Sequence, residues 1–410
     1  MNINFLNRKI NFIILYFVFL IFIGFFTNIF ENTYYDNDWN IGEWLISYNG
    51  GFVRRGLFGE LIFRITMIIK INPILFVQFI SCSAYLIFLY LLKYVRKYFS
   101  ILFLLSPIIG LAPILGNFLI RKDVFGIISY AFCTLIIRSK NNFKNFFLIN
   151  FISSIAILNH ESYIFFALPS LFILHIFSKN FFSNKSEIRI IFDSLLFLLP
   201  SIACIFLVIY FRGSTEIALE IHRGWQNLSE ILPSKLSLFE NNPTGAIAAI
   251  GWNFENAFQL LKQVLDGTTS YRPIWNPAAW LYTIFIISQI FIGEGLKNFK
   301  KLKANILLIQ FASISPLFIL GWDYGRWIFL WVSSSLFFCS ALIDITKGDQ
   351  FLISSFENIA PNFLLRNMNG IILKGKWQII YLFISIPVCM WSLKKFFLGS
   401  PAFYLFKIFK

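Results

Sequence analysis

Charge is scarce in this chain, and negative charge most of all. Only 13% of the 410 residues are charged, and Asp and Glu together number 20. A soluble domain carries about 25% charged residues. With 58% apolar residues and a mean hydropathy of +0.71, the composition is that of a polytopic membrane protein. Segments of alternating hydropathy about ten residues long are missing, which argues against an outer-membrane barrel and leaves a helical bundle. Cysteine is sparse: Cys82, Cys133, Cys204, Cys339 and Cys389 stand singly in apolar segments, so neither a disulfide framework nor a zinc site is implied. The phosphate-binding Walker loop, G-x-S-x-G, H-E-x-x-H and the Rossmann fingerprint are all lacking, and ATP, serine or zinc hydrolysis therefore has no support. The net charge of +15 is scattered between apolar segments. It reads as topology signals and contacts to anionic headgroups, and not as a nucleic-acid surface.

What is abundant is apolar sequence in runs of membrane-crossing length. About eleven spans, within a range of about 10 to 12, are expected near residues 10–30, 73–92, 100–119, 124–137, 146–158, 162–178, 190–211, 276–293, 304–320, 326–345 and 377–393. The fourth and fifth are short and could be re-entrant. The first run follows Arg8 and Lys9 and ends in "TNIFENTYY" without a small-residue cleavage site, so it reads as a retained helix. Residues 1–410 are expected to form a single all-α integral membrane domain. With a cytoplasmic N-terminus, every inner loop is basic, including Lys93, Arg96 and Lys97, Arg138, Lys140 and Lys144, and the "KNFKKLK" loop.

The same topology sends most acidic residues outward: Glu31, Asp36, Asp38, Glu43, Glu60, Asp123, Glu161, Glu216, Glu220, Glu230, Glu240, Glu255, Asp266 and Asp323. Acidic residues contribute little to orientation, so this skew points to a polar working face on the outer side. Two outer loops are long. Residues 31–72 end in "GLFGELIFRITMII", an amphipathic pattern suited to an interfacial helix. Residues 212–275 contain "TEIALEIHRGWQNLSEIL" and "NFENAFQLLKQVL", two helical patterns that could cap the membrane face.

Five outer segments carry the chemistry. "DND" places Asp36 and Asp38 just after the first span, as a general base, a cation site or an acidic turn that ends the helix. "NGGFVRRG" combines Gly50 and Gly51 with the guanidinium forks of Arg54 and Arg55, which suits phosphate or pyrophosphate; the arginines could equally snorkel to headgroups. Arg121 and Lys122 in "FLIRKDVFG" form a second cationic contact or a solvated hairpin. Asn159, His160 and Glu161 interrupt an apolar stretch, as functional groups at membrane depth do and as hydrogen-bonded turns also do. Asp323 and Arg326 sit three apart beside Trp322 and Trp327, as an ion pair in an aromatic belt or as a sugar contact. His222 and Arg223 of the long loop are weaker candidates.

An Asp-bearing loop after the first helix, amphipathic helices behind it, ten or more spans and a large outer loop before the last few spans resemble the GT-C class of membrane glycosyltransferases. "YNGGFVRRGL", "NHE" and "DYGRW" also resemble segments of membrane proteins from bacterial surface-polysaccharide pathways. The resemblance implies transfer of a sugar from a polyprenyl-phosphate carrier to a glycan or lipid acceptor at the outer face of the cytoplasmic membrane. In its terms, Asp36 or Asp38 is the base, with or without a divalent cation such as Mg or Mn. Arg54 and Arg55 hold the lipid phosphate, helped by Arg121 and Lys122. Asn159, His160, Glu161, Asp323 and Arg326 position hydroxyls. Two alternatives stand beside it. One is a polysaccharide polymerase or ligase of the O-antigen type, in which His222 and Arg223 matter more. The other is a transporter of lipid-linked glycans with no chemistry.

Overall fold

In the computed structural model, Phe22 and residues 39–116, 118–139, 143–180, 186–228, 242–265, 277–295, 299–321, 323–346 and 374–382 are described. Among them every regular element is helical. The first two are α1 (Gly56–Ile69) and α2 (Pro73–Leu91). Four follow in the middle of the chain: α3 (Asp123–Ile137), α4 (Phe143–Asn159), the short α5 (Ser162–Phe166) and α6 (Leu168–Asn180). Then come α7 (Glu187–Phe197), α8 (Leu199–Tyr210), α9 (Thr215–Gln226) and α10 (Phe254–Leu265). The last three are α11 (Pro277–Gly293), α12 (Lys300–Leu320) and α13 (Tyr324–Thr346).

The centre of the bundle is α13, in which every residue but Asp344 is buried. A helix apolar on all sides belongs inside a bundle. Its serines fit there because their hydroxyls return to the helix backbone: Ser334 and Ser335 donate to the carbonyl of Trp331 at 3.1 and 2.7 Å. Beside it, α3 runs parallel, since Asp123 at its start pairs with Arg326 at the start of α13, and Arg138 just past its end pairs with Asp344. α4 runs the other way, because Asn145 near its start reaches Ser139 (2.8 Å) and its last residue, Asn159, lies beside Lys122. The bundle thus has two polar ends. One gathers Lys97, Tyr98, Arg138 and Asp344, and the other Arg55, Arg121, Asp123, Glu161, Asp323 and Arg326.

Among the described residues, three helices are long and apolar enough to cross a membrane, spanning Pro73–Tyr94, Lys300–Ile319 and Tyr324–Thr346. Several expected spans take other forms. Residues 100–119 do not form one helix: Pro107, Gly110, Pro113 and Gly116 break the segment into the single turns Ile101–Leu104 and Ala112–Leu115. Nearly all of it is buried, which is where irregular backbone is tolerated at membrane depth. The span expected at 190–211 is the pair α7 and α8, bent by 56° ahead of Pro200. Near 377–393 the described part is a 3-10 segment, Gly375–Leu382. The span expected at 10–30 lies outside the described residues except for Phe22.

The two long loops share a second core. Ile41, Trp44, Leu45, Ile46, Val53, Ile62 and Phe63 of the first loop pack with Ala218, Ile221, Trp225, Ile247 and Ile250 of the long loop. The indole of Trp225 donates to the carbonyl of Leu45 at 2.7 Å, which locks α9 onto the segment before the paired arginines. The expected amphipathic helix is α1; it buries Gly56, Gly59, Ile62, Phe63 and Thr66 and exposes Leu61, Met67, Ile68 and Ile69.

Candidate functional site

At one end of the bundle a carboxylate lies under a set of cations drawn from distant parts of the chain. Glu43 belongs to the 3-10 turn Gly42–Leu45, all of it buried, where the apolar neighbours Ile41, Trp44, Leu45 and Ile46 fill the second core. Its Oε1 faces Arg121 at 3.3 Å, His160 at 3.6 Å, and Arg55 and Arg326 at 4.0 Å. Burial by itself raises a carboxyl's pKa, but Arg121, the His160 hydrogen bond and Arg326 outweigh it and hold Glu43 well below the usual range. Glu43 is therefore a fixed negative charge and a weak base.

Around it run two further ion-pair systems. Arg326 makes a two-pronged contact with Asp123, at 2.7 and 3.0 Å, and also pairs with Asp323, which Arg121 reaches at 3.3 Å. Arg55 grips Glu161 through Nε (2.7 Å to Oε2) and Nη2, and Arg54 reaches the same carboxylate at 3.4 Å. Burial disfavours the charged Glu161, yet Arg55 and Arg54 hold its pKa far below normal. Four guanidinium groups (Arg54, Arg55, Arg121 and Arg326) face four carboxylates (Glu43, Asp123, Glu161 and Asp323), and the buried amine of Lys122 adds positive charge only when it is protonated.

Arg55 is held in a conformation that side chains rarely take. Its φ of 64° places it in the left-handed region at the N-cap of α1, at a cost of about 1–3 kcal/mol. The loop is pinned from two sides: the amide of Arg54 donates to the carbonyl of Phe211 at 2.9 Å, and Lys122 Nζ donates to the carbonyl of Arg55 at 3.0 Å. Lys122 also reaches the carbonyl of Asn159 at 3.3 Å. It is 1% exposed, and burial pushes its pKa down to about 7. Read from sequence as a phosphate ligand, Lys122 is in the fold a strut between the arginine loop and the end of α4. His160 accepts a hydrogen bond from the Ser162 amide at Nδ1 (3.1 Å), so its ring proton belongs on Nε2, facing Glu43.

Several buried polar atoms here have no hydrogen-bond partner: Glu43 Oε2, Asn159 Oδ1, Arg54 Nε and Arg121 Nε. An unsatisfied buried group costs about 1–3 kcal/mol, so these four atoms are open to a polar partner. The rim is more open than the floor: side chains of Arg54 and Arg55 are 26% and 21% exposed, against 2% for Glu43.

Nine of the residues singled out in the sequence come together here: Arg54, Arg55, Arg121, Lys122, Asn159, His160, Glu161, Asp323 and Arg326. His222 and Arg223 do not join them. His222 is buried on the α9 face that carries Ala218, Ile221 and Trp225, and Arg223 pairs with Glu220 on the exposed face. Asp36 and Asp38 lie outside the described residues, and with them the cation expected at "DND". Among the described residues no three His, Cys, Asp or Glu side chains are grouped to hold a metal ion. Sequence reading missed Glu43 and the role of Asp123 as the partner of Arg326. The signal for Glu43 was a carboxylate set in the apolar run "IGEWLI", which only a buried partner would allow. No known protein family, curated protein or solved structure matches the chain.

Proposed function

We propose that this protein is a membrane glycosyltransferase that moves a sugar from a polyprenyl-phosphate carrier to a glycan or lipid acceptor at the outer face of the cytoplasmic membrane. One observation carries the reading: basic and acidic residues from four separated segments converge on one end of an apolar bundle, with four arginines and several unpartnered polar groups among them. A lipid phosphate needs that combination, guanidinium groups at the level where an apolar tail can remain in the bilayer. In this scheme about eleven spans set the site at the outer surface. Arg54 and Arg55 take the phosphate and stabilise the charge that grows on it as the sugar leaves. Asp36 or Asp38 accepts the proton of the attacking hydroxyl, a task for which Glu43, held ionised by its cations, is unsuited. The polymerase or ligase alternative is weakened by Arg223, which is occupied with Glu220, and the transporter alternative by ion pairs that sit at the bundle ends.

The test uses proteoliposomes loaded with polyprenyl-phosphate-linked radiolabelled sugars. Wild-type protein should release polyprenyl phosphate as label moves to an acceptor. Arg55→Ala, Asp36→Asn or Asp38→Asn should cut that release by about 10²-fold or more. Carrier translocation that continues with all the outer carboxylates replaced by amides would make the protein a transporter.

A further inference from the structure

The contacts of Glu43 are one-sided. Arg121, His160, Arg55 and Arg326 all approach Oε1, while Oε2 has no partner. Asn159 Oδ1 is also buried and unpartnered; Asn159 adjoins His160, which faces Glu43, and its backbone carbonyl is held by Lys122. Both atoms are acceptors, so what completes them must donate. Phosphate oxygens only accept, and an ammonium group would meet the arginines of the cluster. Hydroxyl groups fit: each donates to one oxygen and can accept from a donor such as Arg121 Nε, which is unpartnered as well.

We propose that Glu43 Oε2 and Asn159 Oδ1 form a hydroxyl-binding subsite for the sugar ring of the carrier-linked substrate, which makes Glu43 a specificity-determining residue. This rests on the glycosyltransferase reading above and adds to it where the ring lies: on the floor beneath the arginines that hold its phosphate.

The experiment compares two soluble carriers, farnesyl phosphate and farnesyl phosphate linked to a hexose (glucose, galactose or mannose in turn), titrated against full-length protein in nanodiscs by calorimetry. Wild-type protein should bind at least one hexose-bearing carrier about tenfold or more tightly than farnesyl phosphate, as hydrogen bonds to a charged acceptor allow. Glu43→Gln should abolish that preference while binding farnesyl phosphate as well as before or better, because it removes a negative charge beside the arginines. Asn159→Ala changes no charge and should lower the preference in the same direction; it carries the test alone if Glu43→Gln does not fold. A wild-type protein that binds farnesyl phosphate but prefers no hexose overturns the subsite and leaves the transferase reading standing. Variants that keep the preference, or that lose both ligands equally, also overturn it, the latter by reducing Glu43 to a holder of arginines. Wild-type protein that binds neither carrier removes the transferase reading itself.

Discussion

At the scale of single residues, the site is a balance of buried charges, and its pH response follows from who holds whom. Glu161 is held ionised by Arg55 and Arg54 far below the usual carboxylate range. A carboxylate depressed in the fold adds stability above its unfolded pKa of about 4.3, and that contribution is lost as pH falls below it. Thermal unfolding followed from pH 7 to pH 3 should therefore show wild-type protein losing more stability than Glu161→Gln. At pH 7 the variant should already be weaker by about 1–3 kcal/mol, because Arg55 is left without its partner. Lys122 behaves in the opposite sense. Burial lowers its pKa to about 7. Between there and the unfolded value of about 10.4 the unfolded chain binds the extra proton, so stability rises with pH, by up to about 1.4 kcal/mol per unit. In Lys122→Met the rise in melting temperature between pH 7 and pH 9.5 should shrink.

At the scale of elements, α1 braces the segment that precedes the paired arginines. Its buried face presses on the strand of chain that carries Glu43, and Gly59 is where the two meet. A Cβ at Gly59 would stand 1.8 Å from the carbonyl oxygen of Ile46, an overlap with backbone that no rotamer relieves. Gly59→Ala should therefore destabilise the protein by about 3 kcal/mol, read by thermal unfolding in detergent, and should loosen the Arg55–Glu161 pairing. The broken segment at 100–119 plays a comparable part within the bundle. Its apolar side chains read as a span, but its prolines and glycines fold it into turns packed between helices, and it delivers Arg121 and Lys122 to the site.

For the whole molecule, the orientation of the two polar ends decides what the site can meet. Single cysteines in a cysteine-free background test it, read by a membrane-impermeant maleimide on intact cells. Glu220→Cys, on the exposed face of α9, should label directly, and Lys93→Cys, near the opposite end, only after permeabilisation. The reverse pattern would turn the site toward the cytoplasm and end the outer-face reading.

The linear chain determined what local chemistry can carry. Apolar runs of membrane-crossing length, without ten-residue alternation, gave the helical class, the amphipathic stretch gave α1, and polar interruptions such as "VRR", "NHE" and "DYGR" marked the segments that meet. What only the tertiary structure decided was partnership. Asp123 and Arg326, 203 positions apart, form a two-pronged pair, although the spacing of Asp323 and Arg326 had suggested a self-contained one. Lys122, basic like its neighbour Arg121, turned toward backbone carbonyls. Glu43, one outer acid among many in the sequence, became the floor of the site. The reason is the same in each case: a charge can be buried only where opposite charges and donors arrive from elsewhere in the chain, and local sequence holds no record of that arrival.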